Sequence, residues 1–222
     1  MRLVAISDTH SRHAQLSMPA GDVLVHAGDF TEKGPLGDPK TTADALDFLD
    51  WFCSLPHKHK VLVAGNHDTF ATTEEGRNEL RSRDIHYLED DLELIEGLIF
   101  YGTPWVHAPT WASPGPPWWN FAKQLGSVEL AAKRASIPGG VDVLVTHSPP
   151  WALLDEGGTR TIEHCGCARL LDRVLEIQPE IHVFGHIHEA YGITTFGRTT
   201  FVNAAVRNHN SGTLNPAQVL DI

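Results

Sequence analysis

Five short polar blocks carry residue types that bind metals: Asp8-Thr9-His10, Gly28-Asp29, Asn66-His67-Asp68, His147 and His186-Ile187-His188. The set offers carboxylate, imidazole and amide oxygen, and no thiolate. A mixed nitrogen and oxygen shell suits Mn²⁺, Fe or Zn²⁺ better than Ca²⁺, which prefers all-oxygen sites. Asp8 and His10 stand two positions apart, as do His186 and His188. In extended backbone such residues point to the same side, so each pair can aim at one point. Asp8, His10, Asp29, Asn66, His147, His186 and His188 are too many ligands for one tetrahedral ion and suit two. Two divalent ions ~3.5–4 Å apart can hold a water between them and clamp a phosphate. Set against Asp8 and Asp29, such a pair leaves a small net positive charge, which matches a singly charged phosphodiester.

The elements that must position these blocks are short apolar runs, many of them β-branched. They are LVAIS (3–7), DVLVHA (22–27), KVLVAG (60–65), LIFYG (98–102), VDVLVTH (141–147), IHVFGH (181–186), TTFVNA (199–204) and AQVLDI (217–222). Each is bounded by Gly, Pro, Asp or Asn, the punctuation of strands. Five of them release Asp, Asn or His at their carboxyl ends, where ligands bind in α/β folds. Runs that are apolar at nearly every position predict sheets covered on both faces. Between them, 41–55 places Ala45, Leu46, Leu49 and Phe52 on one helical face, with Thr42 as its cap. Residues 167–178 do the same with Leu170, Leu171, Val174 and Ile177, and Pro179 ends that helix.

The chain has 222 residues, enough for one domain, 1–222, with a well-buried core, and no internal repeat is evident. Its formal charge of −11 opposes a nucleic-acid polymer as partner. A small phosphate substrate is compatible with that charge, because bound metal ions supply local positive charge. No apolar run approaches the ~20 residues of a membrane helix, and the first residues, MRLVAISD, lack a cleavable signal pattern. Three cysteines, Cys53, Cys165 and Cys167, make no disulfide framework and suit a reducing compartment, so a cytoplasmic location is expected. The Cys165-Gly-Cys167 pair reads as structural. The stretch 103–120 holds five prolines and four of the six tryptophans; a lid over a site and a surface loop tucked down by its tryptophans are both open readings.

Taken together, the series D-x-H, G-D, G-N-H-D, T-H and G-H-x-H resembles the calcineurin-like metallophosphoesterase superfamily, with all five blocks in order across residues 8–188. The surrounding text, ISDTHSR, HAGDFTE, AGNHD, YGTPW, VTHSPP, HVFGHIHEAYG and FVNAA, resembles its metallophosphoesterase domain-containing (MPPED-type) branch over nearly the whole chain. The resemblance implies an α/β fold of two mixed β-sheets packed as a sandwich flanked by helices. It implies two divalent ions, Mn²⁺ first, with Fe, Zn²⁺, Co²⁺ and Mg²⁺ as alternatives. Asp8, His10, Asp29 and His188 match the first ion's ligands. Asp29, Asn66, His147 and His186 match the second's, with Asp29 bridging. His67 matches the histidine that meets the leaving oxygen, with Asp68 orienting it, and a hydroxide between the ions is the implied nucleophile. Some members of the branch carry glycine in place of His186; this chain keeps the histidine, which favours full activity.

The expected function is hydrolysis of a small phosphodiester such as a cyclic nucleotide. The rivals are a phosphomonoesterase or protein phosphatase, and a nucleotide-binding scaffold with negligible turnover. His13, Arg160, Arg207 and Trp105 are candidate substrate contacts, each with a solvated or packing role as the alternative. His26 and His182 lie within strands and read as core histidines. The sequence leaves the oligomeric state open between monomer and dimer.

Overall fold

In the computed structural model, which describes residues 1–108, 119–157, 163–208 and 212–222, every one of the eight apolar runs forms a strand. In chain order the first half contains β1 (Arg2–Ile6), β2 (Val23–Ala27), α1 (Pro39–Ser54), β3 (His59–Val63), α2 (Glu74–Ser82), β4 (His86–Tyr87), β5 (Asp91–Ile95) and β6 (Leu98–Thr103). There follow β7 (Val106–Ala108), β8 (Ala122–Gln124), α3 (Val128–Ala135), β9 (Val143–Thr146), β10 (Glu156–Gly157), β11 (Glu163–His164) and α4 (Ala168–Ile177). Last come β12 (Ile181–Phe184), β13 (Gly192–Phe196), β14 (Thr199–Asn203) and β15 (Gln218–Asp221).

Two mixed sheets result, with strand orders β15-β1-β2-β3-β4 and β13-β14-β12-β9-β6-β5. Within the first, β1, β2 and β3 run parallel and β15 antiparallel. Within the second, β6, β9, β12 and β14 run parallel, and β5 and β13 close the edges antiparallel. Strand alternation assigns each side chain to a layer. Leu3, Ala5, Val25 and Val63 meet Phe100, Val145 and Val183 between the two sheets. Val4, Ile6, Leu24 and Leu62 face outward onto Phe48, Leu49 and Phe52 of α1. On the far side, Leu144, Phe184 and Phe201 meet Leu130 of α3 and Leu170 and Val174 of α4. Burial of each such side chain contributes about 1.5–3 kcal/mol. The expected sandwich flanked by helices is the observed architecture.

Local chemistry corrects some details. Helix α1 starts earlier than its apolar periodicity indicates. Asp38, not Thr42, is its cap, accepting from the Thr41 backbone N–H at 2.9 Å, and Pro39 sits at the first helical position, where its missing N–H costs nothing. Phe48 is buried in the helix face, while Leu46 lies at its edge. Helix α4 ends as expected, with Gln178 in left-handed backbone just before Pro179. The three cysteines are free. Among the described residues no helix is long and apolar enough to cross a membrane.

Candidate metal centre

Parallel register brings the carboxyl ends of β1, β2 and β3 to one edge of the first sheet, and those of β9 and β12 to the matching edge of the second. The five polar blocks emerge there together. Asp8, His10, Asp29 and His186 have left-handed backbone, with φ of 56°, 43°, 56° and 70°. A non-glycine residue in that region costs of order 1–3 kcal/mol and persists only where its surroundings dictate it. The surroundings here are a ladder of cross-links between loops. Asp8 N–H donates to Gly28 O at 2.8 Å, His10 N–H to Asp29 O at 3.1 Å, and His186 N–H to Asp8 Oδ2 at 2.9 Å.

The side chains form neighbouring groups of potential ligands, with a third of His10, Glu32 and His67 beside the two described next. Asp8, His10 and His188 bring potential ligand atoms within 4.8 Å of one another, and so do Asp29, His147 and His186. In the first group, His188 Nε2 lies 3.1 Å from Asp8 Oδ1 and 3.3 Å from His10 Nε2. In the second, His147 Nε2 lies 3.3 Å from Asp29 Oδ2 and 3.1 Å from Asn66 Oδ1. Asp29 Oδ2 is also 3.9 Å from His10 Nε2, so one oxygen stands between the two groups.

The chemistry of these groups fits divalent cations. Asp8 and Asp29 are buried, and their ion-pair partners among the described residues are histidines alone. Buried carboxylates without a fixed cation are costly. Burial lowers the pKa of His10 and of His186 to about 3, which keeps both rings neutral with a lone pair free. Burial acts the same way on His147 and His188, but Asp29 raises the first to about 9 and Asp8 raises the second. The two carboxylates thus draw positive charge toward themselves, and divalent ions held by the same atoms supply it. His147 is oriented by its other nitrogen, Nδ1, 2.8 Å from Ala27 O, which leaves Nε2 for an ion. Glycine makes the cradle possible. A Cβ at Gly65 would stand 2.2 Å from Asp29 Oδ1 and 2.8 Å from His147 Nε2, and one at Gly185 would stand 2.1 Å from Asp8 Oδ2.

All seven expected ligand residues therefore converge, but the expectations for Asp68, His13 and Trp105 need revision. Asp68 does not meet the His67 imidazole. Its buried carboxylate accepts instead from the N–H groups of Asp29, Gly65 and Thr31, at 2.9, 2.7 and 3.0 Å, and from Thr31 Oγ1 at 2.9 Å. It ties the loop after β2 to the loop after β3. Asp68→Ala orphans the three N–H donors, while Thr31 Oγ1 keeps His67 O at 3.2 Å, so a loss of about 3 kcal/mol is expected in urea unfolding of the metal-free protein; a loss below about 1 kcal/mol would refute this bracing role. His13 faces away from the cleft, with Nε2 3.2 Å from Asp47 and its ring on Phe48 and Trp51. Trp105 packs edge-on against Phe121 and donates from Nε1 to Asp90 at 2.7 Å, so it braces the core rather than a substrate. His26 and His182 are buried strand histidines, as expected, bonded to Thr9 and Thr146. Arg160 and most of the stretch 103–120 lie outside the described residues.

Arg207 does reach the cleft, a hollow of about 350 Å³ over His10, His67 and His188. Three further residues line it that motif reading does not single out: Glu32, Lys33 and Trp119. Trp119 sits edge-to-face with His186, ring centroids 6.1 Å apart. Glu32 follows the G-D block by three positions, and that adjacency was the only signal available for it.

Comparison with known proteins identifies the family. A family model described as calcineurin-like phosphoesterase matches residues 1–190. Human metallophosphoesterase domain-containing protein 1 is 38% identical over all of this chain and 71% of its own length. A Caenorhabditis elegans UPF0046 protein is 38% identical over 94% of this chain and 76% of its own. Among solved structures, phosphopantetheinyl hydrolase from Mycobacterium tuberculosis superposes with a TM-score of 0.57 at 18% identity, covering 92% of this chain and 88% of that one. That likeness speaks for the fold.

Proposed function

This chain belongs to the calcineurin-like phosphoesterase family, and on that premise we propose that it is a dinuclear phosphodiesterase acting on cyclic nucleotides or similar small diesters. The observation that carries the proposal is the placement of Asp29 Oδ2, 3.9 Å from His10 Nε2 and 3.3 Å from His147 Nε2, between two ligand groups. In this reading Asp8, His10 and His188 would hold one ion, Asn66, His147 and His186 would hold the other, and Asp29 would serve both. Ions held there, with Mn²⁺ the first choice, would neutralise phosphoryl charge and supply a water-derived nucleophile at neutral pH.

The remaining work falls to the chain's own groups. Asn66 turns Oδ1 toward His147, while its Nδ2 is buried with no partner among the described residues. That amide donates to a phosphoryl oxygen as charge builds on it, an oxyanion-type contact. The His67 side chain is 18% exposed, at the cleft, with Nε2 3.8 Å from Asp29 Oδ2. It protonates the leaving oxygen. Its main-chain N–H donates to Asp29 Oδ1 at 2.8 Å, which couples its position to the shared carboxylate. Asp8, His10, Asp29, Asn66 and His147 are buried, which limits bulk water around the reacting centre.

The test is turnover of a 2′,3′-cyclic and a 3′,5′-cyclic nucleotide beside matched nucleoside monophosphates, with Mn²⁺ added to chelator-treated protein. Diester cleavage that exceeds monoester cleavage supports the reading. Preference for monoesters assigns the centre to a phosphomonoesterase, and no turnover with both ions bound assigns it to nucleotide binding.

A further inference from the structure

We propose that Glu32, held in place by Arg207, makes this centre discriminate against doubly charged phosphomonoesters, an inference that rests on the phosphodiesterase reading and names the residue behind its selectivity. Glu32 and Arg207 are 175 positions apart in sequence, yet Arg207 Nη1 donates to Glu32 Oε1 at 2.8 Å on the wall of the cleft. The Glu32 carboxylate brings an oxygen within 4.8 Å of a ring nitrogen of His10 and one of His67. This grouping of two histidines and a carboxylate is not a third ion site. A neutral imidazole has one lone pair, and since His10 also falls in the group with Asp8 and His188, we assign it there. Glu32 is instead a fixed negative charge beside the leaving-group side of the cleft.

Its position is built in. The Glu32 N–H points to Ser11 Oγ at 3.3 Å, and the preceding residue, Thr31, is bonded to Asp68 through both its N–H and its hydroxyl. The pair is partly shielded, with side chains 39% and 22% exposed for Glu32 and Arg207.

The consequence follows from charge. A phosphodiester carries one negative charge at neutral pH, and a phosphomonoester or inorganic phosphate carries close to two. Both are drawn to the ions, but the second charge of the monoester meets the Glu32 carboxylate. Arg207, already engaged by Glu32, offers little compensation. At the short range of this cleft, and discounted for partial exposure, the penalty amounts to roughly tenfold in affinity. Removing the Glu32 charge also leaves the Arg207 charge uncompensated and able to attract phosphate, so both effects act in the same direction.

The experiment compares wild type with Glu32→Gln, which keeps the shape and can still accept from Arg207. Metal content is measured first, and binding of inorganic phosphate to the Mn²⁺-loaded protein is then followed by calorimetry. The expected result is phosphate binding roughly tenfold tighter in Glu32→Gln, with a roughly tenfold rise in kcat/KM for p-nitrophenyl phosphate relative to bis-p-nitrophenyl phosphate. Unchanged or weaker phosphate binding at equal metal content overturns the proposal. Arg207→Gln serves as a second variant should the first fail to fold. It leaves the Glu32 charge unopposed, so phosphate should bind more weakly, and unchanged binding again overturns the proposal. If the wild type, with two ions bound, cleaves neither ester, the phosphodiesterase reading fails on its own, while the phosphate measurement still judges Glu32.

Discussion

Asp29→Asn is expected to cut turnover roughly 10³-fold or more and to lower the occupancy of both metal positions together. In the proposed centre Asp29 is the shared ligand, and its Oδ2 lies 3.9 Å from His10 Nε2 and 3.3 Å from His147 Nε2. Its other oxygen accepts the His67 N–H at 2.8 Å. An asparagine has one oxygen to divide between these tasks. If the oxygen takes the bridging position, the amide NH₂ opposes the His67 N–H; if it accepts that N–H, the NH₂ faces the ions. Either orientation breaks the centre, and the lost negative charge weakens both ions. Asp8 offers a ligand oxygen to the first group alone, its Oδ2 accepting the His186 N–H, so Asp8→Asn should deplete mainly one position. Elemental analysis of each variant, beside the diesterase rate, checks this contrast. Normal metal content and activity in Asp29→Asn would mean that no carboxylate is shared.

The second large effect concerns His67. His67→Gln is expected to lower kcat by roughly 10²–10⁴-fold on substrates whose leaving group is an alkoxide, with metal content unchanged. His67 borders the cleft and packs edge-to-face with His10, centroids 4.9 Å apart, without belonging to either of the two groups that share the cleft floor. Its Nδ1 is buried and has no partner among the described residues, so no carboxylate relay stands behind it. A proton donor matters most when the leaving oxygen is strongly basic. The defect should therefore shrink sharply with p-nitrophenolate as the leaving group. Equal losses on both kinds of ester would show that His67 positions the phosphoryl group rather than protonating the leaving oxygen.

The metal-binding set was legible because of how α/β sheets end. Apolar runs define strands, their exits lie at one edge, and Asp or His at five exits leaves little else to assemble. The reading of the i, i+2 pairs as extended backbone does not hold: Asp8, His10 and His186 have left-handed backbone, and His186 and His188 fall in different groups. What the sequence hid depends on where side chains turn after the chain folds. Asp68 follows His67 directly, so it reads as that histidine's partner; in the fold it faces inward, toward the amides of Asp29, Gly65 and Thr31. Trp105 and Trp119 look alike in a Pro-rich and Trp-rich stretch. One is drawn into the core by Asp90 and Phe121, and the other is left beside His186. Helices α2 and α3 had no apolar stripe long enough to read. Glu74–Ser82 buries only Gly76 and Leu80, and Val128–Ala135 buries Leu130 together with a charged residue, Arg134. Both begin at a residue whose side chain caps the first turn, Thr73 and Ser127, which is a weaker signal than periodicity.

The central claim is a pair of ions sharing one carboxylate, and anomalous diffraction from crystals grown with Mn²⁺ tests it most directly. The account predicts two peaks ~3.5–4 Å apart. One should be enclosed by Asp8, His10 and His188, the other by Asn66, His147 and His186, with Asp29 in contact with both. A single peak at saturating Mn²⁺, or two peaks with Asp29 bound to only one of them, would contradict it.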